Sequence, residues 1–203
     1  MKAQIRFLLA LACLSNAALA APETFDFKDP KGVNNAVFKL DAPLEAVSGN
    51  ATGISGTVTF DPADPAATRG KIVVASASMH VGNPMQQQHM LGDKWMDAAQ
   101  YPEISFAAKE LKNVKTSGDA TTADVTGTFA LKGISREITV PVKFTYLKDK
   151  LSQRVPNQKG DLLVIRTSFN IKRRDFGIMP GQMEEKVSDT IELTLSIAGA
   201  SPR

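Results

Sequence analysis

The chain predicts an all-β fold, an antiparallel eight-stranded barrel with a short helical insertion, and three observations lead there. Apolar side chains recur at every second residue along most of the chain. The period is plainest in Ile138, Val140, Val142, Phe144 and Tyr146, which interleave with Thr139, Pro141, Lys143 and Thr145. Such alternation gives a strand one dry face. Turn chemistry separates the apolar runs, as in Asp61-Pro62-Ala63-Asp64-Pro65, Thr116-Ser117-Gly118-Asp119 and the Lys132-Gly133 pair. Only one stretch, residues 83–100, breaks the β pattern.

In chain order, Val33 to Leu40 is the first strand expected. Ile54, Gly56, Val58 and Phe60 mark the second, and the β-branched stretch from Lys71 to His80 is the third. In the break that follows, Asn83 can cap a helix and Pro84 can take its first position, which brings Met85, His89 and Met90 near one face. Gly92 interrupts this helix, and Asp93 can start a second turn carrying Trp95 and Met96. Alternation resumes with Ile104, Phe106 and Ala108, then with Val125, Gly127, Phe129 and Leu131. The strand from Ile138 to Tyr146, the β-branched run from Asp161 to Lys172 and the series Ile191, Leu193, Leu195, Ile197 bring the total to about eight. A sandwich is the competing architecture, but long strands with Gly56 and Gly127 at their middles favour closure. An eight-stranded barrel has room inside for one slender ligand.

The first twenty residues read as an address. Lys2 and Arg6 precede the apolar run Phe7 to Leu14, and Ala18-Leu19-Ala20 supplies small residues for cleavage, so residues 1–20 are expected to be a secretory signal peptide removed after Ala20. A spanning helix would need about 20 apolar residues; Ser15 and Asn16 interrupt this run, and no stable membrane anchor is expected. Leu11 is bulky where a lipid-attachment site prefers a small residue, so Cys13 reads as part of the signal's apolar core. Residues 21–203 then form a single domain, expected in the periplasm.

Of the 24 lysines and arginines, Lys2 and Arg6 leave with the signal, so 22 basic residues face 21 acidic ones. A near-neutral chain without a clustered basic face gives no warrant for nucleic-acid binding, and no nucleic-acid partner is expected. The one cysteine also leaves, which removes disulfides and thiol nucleophiles and makes stability a matter of the core.

A search for reactive groups returns no catalytic residue, metal site or cofactor. The two histidines, His80 and His89, would need carboxylates from distant strands to hold zinc. No Gly-x-Ser-x-Gly elbow, phosphate loop or haem-attachment motif is present, and Glu184-Glu185 beside Gly181 reads as solvated charge. The run Lys172-Arg173-Arg174 ends a strand, where alternation turns one arginine toward the barrel opening and its neighbour to solvent. A guanidinium at that opening would suit an anionic or carbonyl head group. The alternative is a surface pair of Arg174 with Asp175 or Glu137 that closes the barrel end.

Several segments carry a resemblance. Gly53-Ile54-Ser55-Gly56-Thr57-Val58-Thr59-Phe60-Asp61-Pro62, then His89-Met90-Leu91-Gly92-Asp93-Lys94-Trp95-Met96-Asp97, occur in order along the mature chain. Tyr101-Pro102 with Ile104 and Phe106, Leu131-Lys132-Gly133-Ile134 and Arg174-Asp175-Phe176-Gly177-Ile178 follow. Together they resemble the signatures of the YceI-like family of bacterial periplasmic proteins, whose lipocalin-like barrels hold polyisoprenoid or isoprenoid-quinone chains. Asp41 departs from the pattern where an early histidine is expected, and Met96 stands where phenylalanine is commoner.

The resemblance implies a non-catalytic carrier that encloses a polyisoprenoid or isoprenoid quinone as its bound ligand. His89, Trp95 and Met96 are the candidate mouth residues. Phe106, Phe129, Val140, Val142 and Phe144 are candidates for the wall, and Arg174 and Phe176 for the rim. The competing reading is a periplasmic enzyme or redox accessory acting on such a lipid; a third is a barrel filled by its own side chains. Oligomeric state is open, a homodimer included.

Overall fold

The computed structural model describes residues 21–203; the expected signal peptide, residues 1–20, lies outside the described residues. The elements are β1 (Glu23–Asp26), β2 (Asn35–Asp41), β3 (Ala46–Ala51), β4 (Ile54–Phe60), β5 (Arg69–Ala75), β6 (Met79–Val81), α1 (Pro84–Leu91), β7 (Glu103–Ser117), β8 (Ala120–Leu131), β9 (Ile134–Leu147), α2 (Leu151–Arg154), β10 (Gly160–Lys172) and β11 (Thr190–Pro202). The strands join in the order β1-β4-β5-β7-β8-β9-β10-β11-β2-β3-β6, and β1 also pairs with β11.

The registers resolve these segments into eight antiparallel staves, because three staves are interrupted along their length. β1 and β2 succeed one another along β11, at Asp26↔Ala200 and then Asn35↔Ser196. β4 and β3 take up the other side of the same stave, and β5 and β6 continue together against them. The result is the expected closed antiparallel barrel of eight strands with a short helical insertion.

Two of the interruptions have a polar cause. Between β1 and β2 the chain bulges outward, and the buried Asn34 amide stands in for the missing strand residue. Its Oδ1 accepts from the Ala198 N–H at 2.9 Å, while its Nδ2 donates to the Ala198 carbonyl at 3.1 Å. Arg154 from α2 donates to both Asn34 and Asp29 at 3.0 Å and ties the bulge down. The stretch expected as one strand from Lys71 to His80 is instead β5 and β6, parted by a 3-10 turn at Ser76–Ser78. Ser76 Oγ donates to the Tyr101 carbonyl and Ser78 Oγ to that of Ala75, both at 2.7 Å, so hydroxyls divert the backbone from the ladder. β7 carries two register shifts, and the first accounts for Leu111 following Ala108 on the inner face at an odd spacing.

Two glycines are required by close approach. Gly133 sits at φ +75° in the β8–β9 turn, where a Cβ would come within 2.6 Å of the Tyr101 ring. Gly127 faces inward, where a Cβ would meet the Phe106 ring at 2.6 Å. The Tyr101-Pro102 and Lys132-Gly133 signatures are thus two halves of one contact.

One end of the barrel is shut. Phe25, Phe27 and Phe60 are fully or almost fully buried there, and Phe60 stacks on Phe144 with centroids 5.7 Å apart. Tyr146 closes edge-on against Phe25 at 6.2 Å. Below this floor the Tyr146 hydroxyl donates to the buried Asp161 carboxylate, which also receives the Asp149 N–H at 2.8 Å and the Arg203 guanidinium. Burial opposes the charge on Asp161, but these donors prevail and hold its pKa below the ordinary value. Glu23 is pushed the other way, by burial first and then by the Asp161 charge.

An acid whose folded pKa is raised contributes stability below its unfolded value and loses it as pH rises through the folded one. Glu23→Gln is therefore expected to raise the Tm at pH 7. Below the ordinary glutamate value of 4.5 that advantage should vanish, because wild-type Glu23 is protonated there too. Thermal melts of both proteins across this window check the claim, and equal melting temperatures throughout would refute it.

Candidate functional site: an apolar barrel cavity

A cavity of about 1140 Å³ fills the barrel above the aromatic floor. Every stave contributes to it, through Phe38, Val58, Ile72 and Phe106 on one side and Phe129, Val140, Phe169 and Leu193 on the other. No strand contributes a charged side chain to its lining. Glu45, Asp93, Lys94, Arg173 and Lys186, the charged groups that do line it, all come from the connections at the open end. The volume exceeds the roughly 300–1,000 Å³ of pockets built for drug-sized ligands.

Three segments build the mouth. α1 begins as the sequence predicts, with Asn83 Oδ1 accepting from the N–H groups of Met85 and Gln86 at 2.9 and 3.1 Å and Pro84 in the first turn. Its last turn is closed around Gly92, whose carbonyl accepts from Trp95 and Asp97. The second segment is the β2–β3 turn, residues 42–45. The third is the long connection from Arg173 to Asp189. Phe38, Leu40 and Val81 form the cluster on which Met90 and Val187 of these segments converge, beside Val47 of β3.

His89 lies exposed on α1 at the cavity lining, and its imidazole makes no hydrogen bond to a described residue. Trp95 is half-buried and Met96 buried beside it, both on the lining. Phe106, Phe129, Val140, Val142 and Phe144 all face the cavity from β7, β8 and β9. Val125, Leu193 and Leu195 of the alternating series on β8 and β11 face it too, whereas Ile138 of the β9 series packs beside the wall instead.

Two of the expected rim residues lie elsewhere. Arg174 points to solvent and pairs with Asp189 at 3.1 Å, which corrects its assignment to the opening. Phe176 does not line the cavity either. The β9–β10 ladder stops at Val142↔Thr167, next to Pro141, which has no N–H to offer. Beyond that point the wall parts, and Phe176 fills the seam from the 3-10 turn Arg173–Phe176, packing edge-on against Phe129 at 5.5 Å. Arg136 of β9 holds the turn in place by donating Nε to the Asp175 carbonyl at 3.2 Å. Gly177 at φ +65° lets the chain leave it.

The arginine that lines the cavity is Arg173. It is fully buried and donates to the carbonyls of Ser188, Ile178, Met179, Gln182 and Val187. Those bonds occupy its five N–H groups, and no carboxylate pairs with it among the described residues. Its guanidinium carbon stands 5.8 Å from the centroid of Trp95, which joins the long connection to the α1 segment across the mouth. The signal for it was in the sequence, because Ile165, Thr167, Phe169 and Ile171 set an inward parity on β10 that Arg173 continues.

Fold and site together define a lipocalin-like barrel that is closed below, open above and dry within. A YceI-like domain matches residues 30–198, and the chain belongs to the YceI-like family. A UPF0312 protein of Pseudomonas paraeruginosa is 27% identical over 197 residues, covering 94% of this chain and 96% of that protein. Among solved structures, Burkholderia cenocepacia BcnA superposes with a TM-score of 0.63 at 24% identity, over 81% of this chain and 95% of its own. A polyisoprenoid-binding domain from Saccharophagus degradans, implicated in plant cell wall breakdown, gives 0.64 at 13% identity, over 90% and 100%.

Proposed function

We propose that this protein is a periplasmic carrier that encloses a polyisoprenoid or isoprenoid-quinone chain, working after removal of residues 1–20. The observation that carries the reading is the separation of charge from lining: an apolar interior of about 1140 Å³ with every charged group held at its open end. A long apolar tail gains roughly 25 cal/mol for each Å² it removes from water, while the polar mouth orients a head group. Similarity to the Saccharophagus degradans polyisoprenoid-binding domain supports the same ligand class. A binding role is favoured over catalysis, because the one fully buried charged side chain at the cavity, Arg173, has its donors committed to backbone carbonyls. The head group rests on this reading near His89, whose ring nitrogens make no hydrogen bond among the described residues.

Trp95 is the only tryptophan, so its fluorescence reports the mouth directly. Titration of delipidated protein with a short isoprenoid alcohol or quinone is expected to give a saturable change as ligand displaces water around the indole. His89→Ala should weaken the affinity several-fold, in line with one lost hydrogen bond of about 1 kcal/mol. Equal affinity removes His89 from the site, and the absence of any saturable change with either class of ligand counts against the carrier.

A further inference from the structure

Exposed apolar side chains concentrate at the rim of the mouth. Among the described residues five large hydrophobic side chains are exposed, and three of them ring the opening: Leu44 at 67%, Met85 at 68% and Met183 at 44%. They come from three separate elements, the β2–β3 turn, α1 and the 173–189 connection. The rim is nevertheless one surface, since the Leu44 N–H donates to the Glu185 carbonyl at 2.9 Å and both methionines line the same cavity. An exposed apolar group costs little singly, but three around one opening mark an interaction site.

We infer that Leu44, Met85 and Met183 seat the open end of the barrel on a lipid bilayer, so that a chain passes between membrane and cavity without crossing water. This rests on the carrier reading above. The occupant follows from what the patch surrounds. A protein or a second copy seated there would cap the cavity, whereas a bilayer continues its apolar phase. Unbranched, flexible methionine suits a surface with no fixed shape. Charge argues the same way, because Lys94, Lys132 and Lys186 stand against Glu45, Asp93, Glu184 and Glu185 around this rim, with Lys132 held to the Asp93 and Lys94 carbonyls. A rim with balanced charge docks by apolar insertion rather than by attraction to anionic head groups.

The test is flotation of residues 21–203 with phosphatidylcholine vesicles, beside the triple variant Leu44→Glu/Met85→Glu/Met183→Glu. All three positions are exposed, so a thermal melt should find the variant folded. Wild type is expected to float, with at least about tenfold tighter partitioning than the variant, and with no loss when salt is raised. Because residues 21–203 contain no cysteine, Met85→Cys carrying an environment-sensitive dye gives a second readout, and its emission should shift to the blue on vesicles.

Equal flotation of wild type and variant overturns the inference. So does flotation that requires anionic lipid and disappears in salt, an unmoved dye, or association of two copies through the rim in place of vesicle binding. Affinity for a short isoprenoid, measured without vesicles, separates this from the carrier reading. Leu44→Glu alone, at a position that does not line the cavity, is expected to keep that affinity and to float less than wild type, which marks docking as the lost step. Wild type that floats yet takes up no isoprenoid refutes the carrier while leaving the surface in place.

Discussion

Val140→Asp is expected to yield no ligand-bearing barrel, and most of the chain should fail to accumulate in folded form. Val140 is 3% exposed, faces the cavity and sits opposite Val125 on β8. No charged side chain lines that part of the wall to pair with it, since the charged groups of the cavity are confined to its mouth. An unpaired carboxylate there costs several kcal/mol, or titrates to its neutral form, which still leaves an unsatisfied polar group against a lipid chain. Given that whole-domain stabilities are about 5–15 kcal/mol, a loss of this size removes much of the margin. Expression yield, the thermal melt and the content of extractable lipid measure it together. Unchanged values in all three would put that face of β9 outside the cavity.

Arg173→Met should cost about 3–5 kcal/mol, the range for removing one partner from a buried charged network. The guanidinium gathers five carbonyls spread from Ile178 to Ser188, so without it the connection has nothing to wind around. Met fills much of the volume but donates to none of them. Arg173→Lys should rescue little, because three tetrahedral donors cannot reach five acceptors arranged for a planar fork. The loss should show as a lowered denaturant midpoint and as proteolytic cleavage within residues 178–188. Arg174→Met is the internal comparison: its guanidinium is open to solvent where it meets the Asp189 carboxylate, and a pair that water reaches contributes less than a fully buried network. Equal effects of the two substitutions would contradict the division of labour between neighbouring arginines.

That division also shows what the sequence carried and what it hid. The long staves β8, β9, β10 and β11 were legible because alternation is enforced wherever one face is dry and the other wet. The helix at Pro84 was legible from Asn83, whose short side chain reaches its first N–H groups. The same alternation applied from Ile165 onward selects Arg173 as the inward arginine; giving that role to Arg174 followed the motif rather than the parity. What stayed hidden was long-range. β1 is only four residues long, and the joint that fuses it with β2 into one stave depends on Asn34 meeting Ala198, 164 residues away. The split between β5 and β6 rests on hydroxyls whose acceptors, such as the Tyr101 carbonyl, lie on another strand's approach. Pro141 reads as an outward residue of a strand, but its missing donor matters only because it lies one residue beyond the last β9–β10 pair, Val142↔Thr167, where the wall opens and Phe176 is needed as a filler. Parts of the signature segments are architectural for the same reason: Tyr101 against Gly133 and Phe176 in the seam hold the barrel's upper edge and do not line the cavity.

The central claim is that the cavity holds an isoprenoid chain, and native mass spectrometry of protein purified without detergent from the cells that make it tests it most directly. Two charge-state series are expected: the chain beginning at Ala21, and the same chain with one added mass. Fragmentation should resolve that mass into a ladder of isoprene units. Val140→Asp should show only the first series. A single series at the bare protein mass, recovered from cells rich in isoprenoids, or an added mass that fragments as a straight-chain acyl lipid, would contradict the account.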